Sequence, residues 1–114
     1  MKANKKEQLI SKIFEKVMSD GTRGTRANEM YSSTDERLEN KIYVVKMGVE
    51  IPVSGSTVKM VSVHSDAEDF SGATVRDMRI GCEEPRHKIW SNIYATEAPD
   101  EIIDAIAKTM HISD

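Results

Sequence analysis

Between Lys41 and Ile51 the sequence KIYVVKMGVEI alternates apolar and other positions over eleven residues. The two-residue side-chain period of an extended chain puts Tyr43, Val45, Met47, Val49 and Ile51 on one buried face. Ile42 and Val44 fall on the opposite face with Lys46 and Glu50. This stretch is the core strand that everything else must cover or extend. Pro52 to Ser56 reads as a tight connection, and Thr57 to His64, TVKMVSVH, as a β-branched returning strand of an antiparallel hairpin. After the acidic, turn-rich SDAEDFSG of residues 65–72, Ala73 to Cys82 resumes an extended pattern with Met78, Ile80 and Cys82 in alternation. A turn at Pro85 leads to a fourth strand, His87 to Ala95, with Ile89, Ile93 and Ala95 on one face and Trp90, Asn92 and Tyr94 on the other.

Both ends of the chain switch to a helical period. Leu9, Ile10, Ile13, Phe14, Val17 and Met18 form one stripe on a helix from about Lys5 to Ser19, with Gly21 as its stop. Ile102, Ile103, Ile106, Ala107 and Met110 form another from about Pro99 to Met110. Glu97, Asp100 and Glu101 at its start and Lys108 near its end complement the helix dipole. The expected architecture is α+β: one domain over residues 1–114, a four-stranded antiparallel meander with the N-terminal and C-terminal helices packed on one face.

Residues 20–40 carry no sustained periodicity, and a connection of this length inside a small domain is functional, mobile or partly helical. Ser33 and Glu36 have capping-box spacing, which predicts a short helix over Thr34 to Asn40 anchored by Leu38. The segment opens with a tripeptide duplication, Gly21-Thr22-Arg23-Gly24-Thr25-Arg26. Glycine backbone at Gly21 and Gly24 and the forked guanidiniums of Arg23 and Arg26 suit a phosphorylated or nucleotide-like anion. The spacing matches neither the P-loop nor the dinucleotide fingerprint, and it follows a helix instead of preceding one.

The net charge of −3 argues against a general nucleic-acid binder, which carries a basic excess. The charge is uneven: residues 1–46 hold ten Lys and Arg against seven Asp and Glu, whereas 47–114 hold six against twelve. A local anion site in the first half is therefore compatible with an acidic whole. Cys82 stands alone, so no intrachain disulfide forms and a reducing compartment is expected. No stretch approaches the ~20 apolar residues of a membrane span, nor is there a signal-like run near Met1, so a cytoplasmic protein without membrane association is expected.

Candidate chemistry is sparse. Cys82 and His87 flank a turn, with His64 on a neighbouring strand, but structural zinc generally takes four ligands from paired motifs and a nucleophilic thiol needs an activating environment. His64, Asp66, Glu68 and Asp69 lack calcium-loop spacing. No metal, cofactor or catalytic residue is expected. The remaining feature is the sheet face away from the helices, carrying Trp90, Asn92, Tyr94, Ile42 and Val44, and from the second strand either Val61 and Val63 or Val58 and Met60. These residues point to a small non-enzymatic interaction protein, of inhibitor, immunity or adaptor type, that binds a protein partner or its own twin. The alternative is a small-ligand binder that captures its anion at Arg23 and Arg26.

Overall fold

The computed structural model describes residues 1–27, 41–84 and 89–113, apart from the side chains of Ala27, Lys41, Ile89 and Trp90. Helix α1 spans Ala3–Asp20 and buries Leu9, Ile10, Ile13 and Val17. Helix α2 spans Asp100–Thr109, entered through Pro99, and buries Ile103, Ile106 and Ala107. The two are clasped at their N-termini: the Lys6 ammonium donates to the Ala98 carbonyl at 2.7 Å and pairs with Asp100 at 2.7 Å. Among the described residues no helix is long and apolar enough to cross a membrane.

The chain between the helices forms an antiparallel sheet of five strands in sequence order, β1 Thr22–Ala27, β2 Lys41–Val53, β3 Ser56–Ser65, β4 Met78–Glu84 and β5 Ile89–Tyr94. The α+β class, the meander and the terminal helices follow the sequence pattern; the strand count does not. The extra strand is the duplicated Thr-Arg-Gly segment, which pairs with β2 from Thr22 opposite Lys46 to Ala27 opposite Lys41. It carries no apolar alternation because it is an exposed edge, where pairing alone holds the backbone extended. The helix expected over Thr34 to Asn40 lies outside the described residues.

Strand β2 runs two residues past Ile51, through Pro52 to Val53, and turns at Ser54 and Gly55, whose φ angles are 46° and 86°. With Val53 opposite Ser56, this is a two-residue turn with both central residues left-handed, as the right-handed twist of a hairpin favours. The start of the expected third strand is instead a 3₁₀ turn at Val75–Asp77, where the Thr74 hydroxyl accepts from Arg76 N–H and Asp77 accepts from Thr74 N–H. The fourth expected strand is shorter than read, because Ala95–Glu97 forms another 3₁₀ turn that seats Ala95 in the core.

Two irregularities decide which side chains enter the core. Register passes from Gly48 opposite Met60 to Ile51 opposite Val58 in the β2–β3 pair, and from Val58 opposite Cys82 to Met60 opposite Gly81 in the β3–β4 pair. Lys59 is thus an extra residue in β3 relative to β4, while against β2 it faces the two residues Val49 and Glu50, and the parity of β3 changes across it. Val58, Val61 and Val63 are all fully buried toward the helices, so neither expected pair, Val61 with Val63 or Val58 with Met60, lies whole on the open face; of these four residues only Met60 does.

Phe70 inserts into the same core from the β3–β4 connection, with a φ of 59°. The Arg23 guanidinium lies over its ring at 4.7 Å and donates to the Met18 carbonyl at 3.1 Å, tying the edge strand to α1.

Gly21 serves close approach and not a left-handed stop: its backbone is extended, and a Cβ there would lie 2.5 Å from the Val17 carbonyl oxygen and 2.6 Å from Val45 Cγ2. Gly24 has open space around it. We predict that Gly21→Ala destabilises the fold by about 2–3 kcal/mol and that Gly24→Ala changes it by less than about 0.5 kcal/mol. Urea unfolding checks both, and equal effects would contradict the contact.

Candidate functional site

Both helices pack on one side of the sheet, and the opposite face collects alternate residues of all five strands. The cross-strand rows are Gly24, Val44 and His64; Thr22, Lys46, Ser62, Arg79 and Tyr94; and Gly48, Met60, Gly81 and Asn92. Arg26 stands opposite Ile42 at the β1 end. Ile42, Val44, Asn92 and Tyr94 therefore share this face, with Ile42 and Val44 half-buried, Asn92 exposed and Tyr94 43% exposed. Trp90 holds its place in β5 opposite Glu83, and its side chain lies outside the described residues.

The expected anion loop is divided by the strand that contains it. Arg23 and Arg26 are three residues apart on an extended chain, so they leave on opposite faces. Arg23 goes to the helix side, under the constraints of Met18 and Phe70, and Gly21 is occupied in the turn from α1. Arg26 goes to the open face, where its Nη2 lies 3.2 Å from His64 Nδ1.

His64 is the centre of this arrangement, and sequence reasoning weighed it only as a metal or catalytic ligand. A guanidinium can only donate, so the Arg26 contact requires a lone pair on Nδ1 and leaves the ring proton on Nε2. Nε2 then donates to Ser62 Oγ, 3.2 Å away, and the serine hydroxyl keeps its own proton to give elsewhere. Electrostatics agree with this neutral tautomer. Burial, then the charges of Arg79 and Arg26, push the His64 pKa down to about 4, with only Asp77 opposing.

Arg79, opposite Ser62 on β4, has no carboxylate partner among the described residues. Its Nε is buried without a hydrogen-bond partner, and its guanidinium lies 5.2 Å from the Tyr94 ring centre. Elsewhere on the face Lys59 pairs with both Glu50 and Glu83.

A cleft of about 760 Å³ begins at this corner, lined on the sheet by Ile42, His64, Arg79 and Tyr94. The β3–β4 connection and the 3₁₀ turns close its other side with Arg76, Asp66, Asp77 and Glu97. Asp77 is held in its capping box, away from a partnership with Arg79.

Cys82 and His64 do not form a catalytic or metal-binding pair. Cys82 is buried on the helix side of β4, where burial pushes its thiol pKa up, whereas His64 is on the open face. His87 lies outside the described residues. No protein-family model, curated protein or solved structure matches the chain.

His64 sets a specific pH dependence. Its folded pKa is below its unfolded value, so the unfolded chain takes up the proton first and stability falls as pH drops from about 6.5 toward 4. Because the ring is half exposed, the loss should be on the order of 1 kcal/mol. Comparing denaturant unfolding of the wild type and His64→Asn between pH 7 and 4.5 isolates this from the titrating carboxylates common to both. A loss of the same size in the two proteins would remove His64 as its cause.

Proposed function

We propose that this chain is a small non-enzymatic interaction domain, of inhibitor, immunity or adaptor type, that receives an acidic segment of a partner protein on the sheet face opposite the helices. The observation that carries this reading is that one complete sheet face, with Ile42, Val44, Met60 and Tyr94 in reach of solvent, lies uncovered by either helix. Mixed aromatic, aliphatic and arginine character is what interface centres use. Catalysis finds little support beside it, since the thiol of Cys82 and the imidazole of His64 face opposite sides of the sheet. The lone Cys82 suits a reducing, cytoplasmic setting.

Charge selects the occupant. Arg26, Lys46 and Arg79 project from the open face without matching carboxylates among the described residues, while the chain as a whole carries −3. An isologous dimer through this face would set the same cations against each other, because a two-fold interface meets itself. An acidic partner gains where a second copy loses, which favours the first over self-association.

The binder reading keeps its anion but moves it from the Arg23 and Arg26 pair to Arg26 and Arg79. That shift follows from the side chains' faces, and it makes the two readings share one surface.

Peptides selected from a random display library on the wild type tests this. Selection should enrich Asp- and Glu-rich sequences, and Tyr94→Ala should weaken their binding at least about tenfold, or about 1.4 kcal/mol. Analytical ultracentrifugation should return a monomer near 12.8 kDa. A stable dimer broken by Tyr94→Ala, or enriched peptides that bind the variant equally, would overturn the reading.

A further inference from the structure

We infer that the corner formed by Arg26, His64, Ser62 and Arg79 is a subsite for the phosphoryl group of an organic phosphate monoester. This deepens the interaction reading, and rests on it for the choice of face. The groups come from three strands: Arg26 from β1, Ser62 and His64 from β3 and Arg79 from β4. His64 on β3 therefore has a guanidinium from β1 and another from β4 on its own face of the sheet.

Each group has capacity left over. Arg26 spends one nitrogen on His64 Nδ1, and Ser62 accepts from Nε2 and retains its hydroxyl proton. Arg79 has the Tyr94 ring beside it and a buried Nε without an acceptor. A buried donor left unmet costs roughly 1–3 kcal/mol, and cations near one another add to it, so the corner suits an anion that the described residues do not pair with Arg26 or Arg79. His64 cannot be that anion, nor does it compete as a cation, because its neutral tautomer is fixed by Arg26.

Ligand geometry follows from donor number. A carboxylate is filled by one guanidinium fork, whereas a phosphoryl group has three terminal oxygens and can take two guanidiniums and a hydroxyl. Across from the sheet the same cleft is lined by Asp66, Asp77 and Glu97 together with Arg76. At about 760 Å³ the cleft is in the range of sites that hold whole organic molecules, with the Tyr94 ring available to the body of the ligand. A free phosphate ester and a phosphorylated residue of a partner protein offer the same group.

Phenyl phosphate titrated into the full chain, with phenylacetate as the carboxylate control, tests the subsite by calorimetry and by NMR of the arginine Nε–H signals. The expected result is at least tenfold tighter binding of phenyl phosphate, a shift of the Arg79 Nε–H resonance, and at least tenfold weakening in both Arg26→Lys and Arg79→Lys, which keep charge but lose the fork. The resonance shift is read in the wild type and does not depend on a variant folding. Equal binding of the two probes, or lysine variants that bind as well as the wild type, overturns the inference. Parallel titrations with adenosine monophosphate and a phosphoserine peptide name the source: the tighter of the two identifies a free ester or a partner's residue, and each supports the subsite. If unphosphorylated acidic peptides bind through Tyr94 and phenyl phosphate does not, the subsite falls and the interaction reading stands. If phenyl phosphate binds at Arg79 and acidic peptides do not, the subsite stands and the protein partner falls.

Discussion

One extra residue, Lys59, sets the two sides of this molecule. In a strand of strict period two, Val58 would share a face with Met60, Ser62 and His64, and Val61 and Val63 would lie opposite. The register change at Lys59 removes that conflict, so Val58, Val61 and Val63 all enter the core and Met60, Ser62 and His64 all face away from it. The bulged residue is not idle, since its ammonium reaches Glu50 on β2 and Glu83 on β4 and ties three strands together. A straight β3 would bury a polar group or expose a valine, and either would cost more than the unpaired backbone of a bulge.

From that division the rest follows. Valines on one side attract both apolar helix stripes, which the Lys6 contacts with Ala98 and Asp100 hold together. Polar and cationic groups on the other side are covered by neither helix. Asp77 accepts from the Thr74 N–H and Glu83 pairs with Lys59. Among the described residues no carboxylate pairs with Arg26 or Arg79. An acidic protein thereby gains a basic face without an overall basic charge.

Much of the fold was legible because the signals were long and periodic: the stripes of Leu9 to Met18 and Ile102 to Met110, and the alternation from Tyr43 to Ile51. The Thr22–Ala27 strand was not, because an exposed edge needs no apolar side chains and its glycines and arginines read as a loop. Nor was the parity of β3, since nothing in TVKMVSVH says which residue is the extra one. Phe70 was overlooked inside an acidic turn, although a lone aromatic between Asp69 and Ser71 was a signal that the turn is anchored. For the site, Ile42, Val44, Asn92 and Tyr94 were assigned to one face from alternation alone. The meeting of Arg26 with His64, on the same face as Arg79, is not accessible from sequence, because it joins residues brought together only by three strand registers.

The central claim is that uncompensated cationic charge gathers around a neutral His64 on the open face. Long-range nitrogen-detected NMR of the His64 ring across a pH titration tests it most directly. The expected result is a protonated Nε2 and a bare Nδ1 at pH 7, titration near pH 4, and a rise toward 6.5 when Arg79 is replaced by methionine. Titration of the wild type near 6.5, unmoved by Arg79→Met, would contradict it.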